Sequence, residues 1–179
     1  MTRTTYIIIA LAVLGVVLAG IAITRPHAND TAYPAPTGTQ EQATVPTLTA
    51  TQGNVSFSYP EKLPTSYMHE VDWPPKVAVT SAAFACEEGE TEIGRTHAFD
   101  AGGQTYCVTT RSEGAAGSMY TDYTYSTIKD AKLVTLTFTL RSTQCGNYDE
   151  PNRTECEQER AAFDVDALAT NMLESVAVK

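Results

Sequence analysis

An unbroken apolar run is the first pattern along the chain. In residues 6–23 every side chain is apolar or small. As a helix with a rise of about 1.5 Å per residue, this run nearly crosses a hydrocarbon core about 30 Å thick. Residues 1–24 are therefore predicted to insert into a membrane, either as a retained signal anchor with a transmembrane helix or as a signal peptide that is removed. The small residues Gly20 and Ala22, which suit cleavage, lie inside the run, and this favours the anchor.

The run is followed by a segment with few large apolar residues. Residues 25–53 contain four prolines and many threonines. Such a composition buries too little apolar surface to offset the entropy lost when a chain becomes ordered. The segment is predicted to be a disordered, Pro/Thr-rich linker between the membrane helix and an outer domain at residues 54–179.

Apolar and polar residues alternate across much of residues 55–140, which is the period of a β-strand. The clearest case is LVTLTFTL, residues 133–140, in which the apolar side chains share one face and three threonines share the other. Together with MYTDYTYST, residues 119–127, it predicts an antiparallel hairpin. One face of the resulting sheet should be buried and the other should face solvent.

The hydrophobic period lengthens near the C-terminus. Thr154 and Glu157 have the spacing of a capping box, which predicts that a short helix begins at Thr154. Asp164 is predicted to cap a second helix, whose apolar residues recur at helical spacing as far as Leu173. With a final strand in SVAV, these features predict an α+β fold: an antiparallel sheet of about five to six strands covered by a C-terminal helix.

Cysteine usage predicts the compartment. All four cysteines lie beyond the apolar run, which favours an oxidising environment. The N-terminus is therefore predicted to be cytoplasmic, and the outer domain extracytoplasmic on a single-pass cell-membrane anchor. Ten residues separate Cys145 from Cys156, whereas zinc ligands usually lie about two to four residues apart. Two disulfides, Cys86–Cys107 and Cys145–Cys156, are predicted, which removes the thiols from catalysis.

An acidic loop offers an alternative, a calcium site. Its carboxylates lack the alternating Asp-x-Asp-x-Asp-Gly order that directs ligands to one ion, so a solvated charged loop is favoured and no metal or cofactor is predicted. The carboxylates are Asp149, Glu150, Glu155, Glu157 and Glu159.

Two histidines suggest another alternative, an extracytoplasmic hydrolase or metal-dependent enzyme. His69 has Glu70 and Asp72 nearby, and His97 lies in a predicted strand. Neither is accompanied by a Gly-x-Ser-x-Gly frame or by ligands at motif spacing, so no catalytic residue is assigned. A third alternative, a pilin-like subunit, requires a Gly-Phe-Thr-Leu-x-Glu-type start that the chain lacks.

Aromatic strand residues and a glycine-rich segment, SEGAAGS at residues 112–118, predict a binding surface. Tyrosine and tryptophan rings stack on sugars and protein partners, although they are also ordinary strand residues that pack in sheets. SEGAAGS is interpreted as a mobile surface loop, and such loops often carry the contacts of binding modules. The predicted surface, whose partner would be an unknown protein or a glycan, consists of Trp73, Ser118, Tyr120, Tyr123 and Tyr125.

Charge narrows the classes of partner. The formal net charge is −9, and nearly all of it belongs to the chain after Gly53. An acidic domain repels phosphate backbones and anionic lipid heads, so nucleic-acid binding is not predicted and membrane contact is assigned only to the N-terminal helix. These features favour a membrane-tethered binding or envelope-structural module over an enzyme.

Three stretches resemble a known family: GSMYTDYTY, LVTLTFTLRSTQCGNYDEPNRTEC and the following ER-x-x-FD-x-D-x-L. They are similar to an uncharacterised family of membrane-anchored extracytoplasmic proteins of candidate-phylum bacteria, and the similarity covers about residues 55–178. It implies no activity, substrate or catalytic residue. A fainter resemblance, in FSYP and LESVAV, is to PsbP-like α/β sandwiches and implies a sheet with a final helix.

Overall fold

A computed structural model describes residues 47–179 of the chain. The predicted membrane segment, residues 1–24, lies outside this range, as does most of the predicted linker. Within the described range no helix is long and apolar enough to cross a bilayer.

Most of the described residues form strands, and two short helices follow near the C-terminus. A 3₁₀ turn at Cys145–Asn147 lies between the first eight strands and the helices, and a ninth strand follows the helices. The strands are β1 (Thr47–Gln52), β2 (Val55–Pro60), β3 (Met68–Thr80), β4 (Gly89–Thr91), β5 (Gly94–Ala101), β6 (Gln104–Ala115), β7 (Ser118–Lys129), β8 (Lys132–Thr143) and β9 (Ala177–Val178), and the helices are α1 (Asn152–Ala162) and α2 (Val165–Glu174).

The strands form two antiparallel sheets. The large sheet has the order β3-β8-β7-β6-β5-β4, and the small sheet has the order β1-β2-β9. Strands β4 to β8 pair with their neighbours in the sequence, and the predicted hairpin of residues 119–127 and 133–140 is the β7–β8 pair. Strand β3 pairs with β8 from far along the chain, with a bulge between Val71 and Lys76.

The predicted fold class is wrong. The expectation was an α+β fold, with five to six strands covered by a C-terminal helix. Strands instead make up 56% of the described residues, in sheets of three and six strands with only two short helices, so the protein is mostly β. The small sheet was not predicted as a separate sheet because β1 has the composition of the linker, although β9 lies within SVAV, which was predicted to be a strand. Thr47–Gln52, the last part of predicted linker 25–53, is ordered by pairing with β2.

The core lies between the large sheet and a second layer. In β8 the apolar residues from Val134 to Leu140 are at most 5% exposed, and threonines alternate with them on the opposite side. The small sheet and α2 share the second layer, and they contact each other through Ser58 and Ser175. Both layers contribute buried side chains to the core. They include Val55, Phe57, Tyr106, Val108, Tyr125, Val134, Leu136, Phe138, Ala169, Met172 and Leu173.

The two predicted helix starts have different outcomes. Asp164 caps α2 as predicted, since its carboxylate accepts a hydrogen bond of 2.8 Å from the backbone N–H of Ala167. The capping box at Thr154 is wrong. Helix α1 begins earlier, at Asn152, and the Thr154 hydroxyl donates to the carboxylate of Glu150.

Both predicted disulfides are present in the structure. Cys86 is joined to Cys107, and Cys145 to Cys156. The second bond attaches α1 to the 3₁₀ turn that follows β8, and its two cysteines are buried. All four thiols are therefore consumed in cross-links.

Residues 81–88, which we call the strap, cross the large sheet on the side away from the core. They connect β3 at one edge with β4 at the other. Cys107 lies between Tyr106 and Val108, which point into the core, so its side chain points outward to its bond with Cys86. Five strand spacings of about 4.8 Å separate the edges, and eight residues extend at most about 30 Å. The strap therefore has little slack, and we call the side that it crosses the open face.

Candidate functional site

The residues of the predicted binding surface lie in three different places. Trp73 is half-buried and packs against the edge of the core. Its indole N–H donates a hydrogen bond of 2.9 Å to the carbonyl of Pro60, and its ring meets Tyr59 and Phe138 edge-on. These contacts hold the ring at the margin of the core, so Trp73 anchors the bulged strand β3.

Tyr120 and Ser118 lie at one end of β7. The side chain of Tyr120 points to the open face, where its strand neighbours are Glu113 and Arg141. Ser118 starts β7 directly after a tight turn at Ala116 and Gly117, both of which have positive φ. SEGAAGS is therefore not the loop that the sequence suggested, because residues 112–115 continue β6.

Tyr123 and Tyr125 point to the opposite side of β7. Tyr125 is 0% exposed, and its ring belongs to the core. Tyr123 is half-buried, and its ring stacks on Phe138 and Tyr125 at centroid distances of 5.2 and 6.3 Å. Of the predicted surface, Tyr123 is the residue that combines a packed ring with access to a concave site.

That concave site is a cleft of about 510 Å³ beside the junction of the two helices, which we call the His97 cleft. The junction, residues 161–166, forms one wall. The sheet forms the other wall with side chains from three neighbouring strands: His97 of β5, Val108 and Thr110 of β6, and Tyr123 and Tyr125 of β7. The site therefore combines an aromatic and aliphatic floor with the carboxylates of Asp164 and Asp166.

The Tyr125–Asp166 pair fixes the deep end of the cleft. The phenol of Tyr125 donates a hydrogen bond of 2.6 Å to Oδ1 of Asp166. Burial raises the pKa of Tyr125 strongly, and the hydrogen bond to the carboxylate adds to the shift. Burial also raises the pKa of Tyr123. Both tyrosines are therefore neutral donors at physiological pH, and neither can serve as a base there.

The two carboxylates are only partly used by the protein. Oδ1 of Asp164 caps α2, and Oδ1 of Asp166 accepts from Tyr125. Their second oxygens have no partner among residues 47–179, and neither carboxylate forms an ion pair there. Two acceptors thus remain available beside the apolar side chains of Val108, Phe163 and Val165.

His97 has an unusual environment. Its ring lies 6.4 Å from that of Phe99, and its Nδ1 is buried without a hydrogen-bond partner. No hydrogen bond joins His97 to a carboxylate of the described residues, so a histidine–acid pair is not assembled. His69 is distant from it, on the open-face side of β3. The two histidines that suggested an enzyme do not share one site.

The acidic loop holds the chain together by hydrogen bonds. Both carboxylate oxygens of Glu159 accept backbone N–H groups, from Ser66 and Tyr67, each at 2.7 Å. Glu150 receives the Thr154 hydroxyl. Across residues 47–179 no three His, Cys, Asp or Glu side chains are grouped as metal ligands.

Sequence reasoning missed the helix junction, which supplies half of the cleft. One signal was present: Phe163 precedes the cap residue Asp164, and Leu168 follows it at the fourth helical position. That spacing is a hydrophobic staple, which fixes the angle at which a chain enters a helix. It marks a sharp junction, although it does not show which strands the junction faces.

No protein-family model matches the chain, and no curated protein is significantly similar to it.

Proposed function

We propose that this protein is a membrane-tethered extracytoplasmic binding module that takes a small ligand in the His97 cleft. The observation that carries the proposal is the uncommitted polar chemistry of the cleft. Binding sites are typically concave and mostly apolar, with a few polar groups that orient the ligand. The cleft matches this pattern with its aliphatic wall, the ring of Tyr123 and one free oxygen each on Asp164 and Asp166.

Rigid support on both sides favours binding. Tyr123 stacks on Phe138, which is 5% exposed, so the floor is part of the core. The opposite wall is held by the Asp164 cap and by the bond from Tyr125 to Asp166. Groups held in place before a ligand arrives lose little entropy on binding, which increases affinity.

The tether and the compartment are supported by the sequence and by the cross-links. The apolar run of residues 6–23 is long enough to insert in a bilayer. The two disulfides are compatible with an oxidising space outside the cytoplasm. We place the binding domain on the outer side of the cell membrane, at the end of the linker.

A blocked cleft tests the binding role. Ala162 is exposed and lines the cleft, so Ala162→Trp should fill it without disturbing the core. Ala167 is exposed on α2 and does not line the cleft, which makes Ala167→Trp the matched control. Full-length chains purified in detergent are incubated with small molecules extracted from the cell envelope, and retained species are identified by native mass spectrometry.

The wild-type chain and Ala167→Trp should retain the same small molecule, and Ala162→Trp should lose it. Equal retention by all three chains would move the site elsewhere. Failure of the wild-type chain to retain any small molecule would overturn the binding proposal. Unchanged melting temperatures for the two variants would show that a loss reflects the blocked cleft and not unfolding.

A further inference from the structure

The open face carries charges that the molecule does not neutralise. Asp72, Lys76, Arg111 and Glu113 are exposed there, and Arg141 is half-buried beside them. None of these five side chains forms an ion pair or a hydrogen bond with another residue of the described range. Charges of both signs at close spacing usually pair with each other or with a partner.

The strand register arranges these charges in rows. One row across the sheet reads Glu113, Tyr120, Arg141 and His69, from β6 through β7 and β8 to β3. The next row reads Arg111, Asp122, Thr139 and Val71, with Asp72 directly after Val71 in the bulge. A third row holds Thr109, Thr124, Thr137 and Lys76.

This pattern is self-complementary about one axis. Consider a twofold axis that lies in the open face, parallel to the strands, between β7 and β8. It places β7 over the β8 of a second copy and β6 over its β3. Each row of one copy then lies on the same row of the other copy, read in the opposite direction. Arg111 then faces Asp72 of the other copy, Glu113 faces His69, and the ring of Tyr120 faces the guanidinium of Arg141. The last contact is a cation–π arrangement.

One alternative placement of the second copy gives repulsion. A twofold axis perpendicular to the strands, centred on the second row, places Arg111 over Arg111 and Asp122 over Asp122 of the other copy. Like charges that face each other across an interface cost free energy and exclude that arrangement. The charge pattern therefore disfavours this placement, whereas it is complementary about the axis parallel to the strands.

We propose that the open face is a self-association surface, on which two copies of this chain stack about the axis parallel to the strands. Long side chains bridge the two faces, because the strap of each copy stands above the sheet and keeps the backbones apart. The interface is polar. It is independent of the His97 cleft, which lies on the other side of the large sheet.

The size of the surface predicts a weak, reversible dimer. Beyond the strap the face is four strands wide and about seven residues long, which is about 19 Å by 24 Å, or about 450 Å² per copy. A total near 900 Å² falls in the range of transient complexes, below about 1,200 Å². The association should therefore depend on concentration and weaken with salt, because exposed charges are screened.

Charge reversal tests the surface. Sedimentation velocity of the full chain in density-matched detergent, over a concentration series, gives the monomer–dimer dissociation constant. Arg111→Asp and Asp72→Arg should each raise that constant at least about tenfold, since the twofold axis turns two attractive contacts into two repulsive ones. The double variant R111D/D72R should return it close to the wild-type value, because it exchanges the two signs.

Lys62 is exposed and lies outside the open face, so Lys62→Asp is the matched control and should leave the constant unchanged. A wild-type chain that stays monomeric throughout the series overturns the proposal. So does a dimer that all variants form equally, which would place the contact in another part of the chain, and so does a double variant as weak as the single ones. Circular dichroism of each variant shows whether it folds.

Discussion

At the residue scale, the phenol of Tyr125 links the core to the candidate site. The ring is fully buried and stacks on Phe138, while the hydroxyl reaches Asp166 at the start of α2. One side chain therefore carries both apolar burial and a charge-assisted hydrogen bond, which is stronger than a bond between neutral groups. The orientation of the free Asp166 oxygen in the cleft depends on this bond.

Tyr125→Phe should destabilise the fold by about 1–2 kcal/mol. The variant removes the donor to Asp166 and keeps the ring, and a hydrogen bond to a charged group contributes about 1.5–3 kcal/mol when well buried. Because Asp166 is half-buried, water recovers part of the loss. Urea denaturation measures the change. The control Tyr120→Phe, whose hydroxyl bonds to no described residue, should stay within about 0.5 kcal/mol. Equal losses for the two variants would contradict the role of the bond.

Alkaline pH should weaken the protein through the same tyrosines. Burial raises the pKa of Tyr106, Tyr123 and Tyr125 in the folded state, whereas an unfolded tyrosine titrates near pH 10. The folded state then holds these protons more tightly, so the contribution of the tyrosines to the free energy of unfolding is constant below about pH 10 and falls above it. Urea denaturation on both sides of that pH should show a smaller fall for Tyr125→Phe than for the wild-type chain. Identical slopes would contradict this assignment.

The sequence showed which residues of a strand share a face, but in β7 it did not show which face is buried. The two-residue spacing in β7 puts Tyr123 and Tyr125 on one face and Tyr120 on the other, whereas the prediction grouped all three on one surface. The spacing did not show that the face of Tyr123 and Tyr125 is the core, because tyrosine suits both packed and solvated sheet positions. In β8 the same step succeeded because leucine, valine and phenylalanine alternate with threonine.

At the element scale, the β4–β5 hairpin is packed unusually close to β6. A Cβ atom built on Gly94 would lie 2.1 Å from the carbonyl oxygen of Thr110, which is backbone and cannot move aside. The backbone N–H of Ser112 also donates to the carbonyl of Ile93 at 2.7 Å. The absence of a side chain at Gly94 therefore allows the edge of the sheet to close.

Gly94→Ala should cost about 1–3 kcal/mol, the usual range for a forced overlap in a packed region. The overlap is with the main chain, so relief requires β5 to shift away from β6. Thermal unfolding followed by circular dichroism measures the loss. Gly114→Ala is the control. Gly114 lies on β6, as Thr110 does, and a Cβ atom built on it meets no atom within 4 Å, so this variant should be nearly neutral. A neutral Gly94→Ala would show that the edge is more yielding than the structure indicates.

Elements with a local signature were predictable, and elements made by distant pairing were not. The β7–β8 hairpin and the Asp164 cap follow from neighbouring residues. Strand β1 forms because it pairs with β2. A threonine-rich segment becomes a strand or a linker according to its surroundings, so its own sequence did not predict the strand. The cap predicted at Thr154 failed because Glu150 captured the hydroxyl.

At the scale of the whole molecule, the candidate site is built from parts that are remote in sequence. Its two walls come from β5 to β7 and from the helix junction at residues 161–166. Spacing in a sequence cannot show which strand meets which helix, so the cleft was beyond prediction. The cross-links were within reach, because the cysteines of each pair lie only 21 and 11 residues apart.

The proposed placement of the whole chain gives a cellular prediction. If residues 1–24 remain as an anchor, the protein should stay in the membrane pellet after alkaline carbonate extraction, since an inserted helix is not removed by pH. Protease is added to cells whose outer envelope layers are permeabilised and whose cell membrane is intact. It should degrade the domain, which is proposed to lie outside that membrane. Recovery of the protein in the soluble fraction would contradict the anchor. Protection of the domain from external protease would contradict the orientation.

The taut strap has a consequence for how this chain tolerates changes in length. A connection that uses nearly its full reach cannot be shortened without pulling one edge of the sheet toward the other, whereas extra residues simply add slack, at a slowly growing entropic cost. Deleting Ala83 should therefore lower the melting temperature, and inserting one glycine after it should change it little. Among homologous chains, the strap should vary in length only upward: insertions should occur in it, and deletions should not.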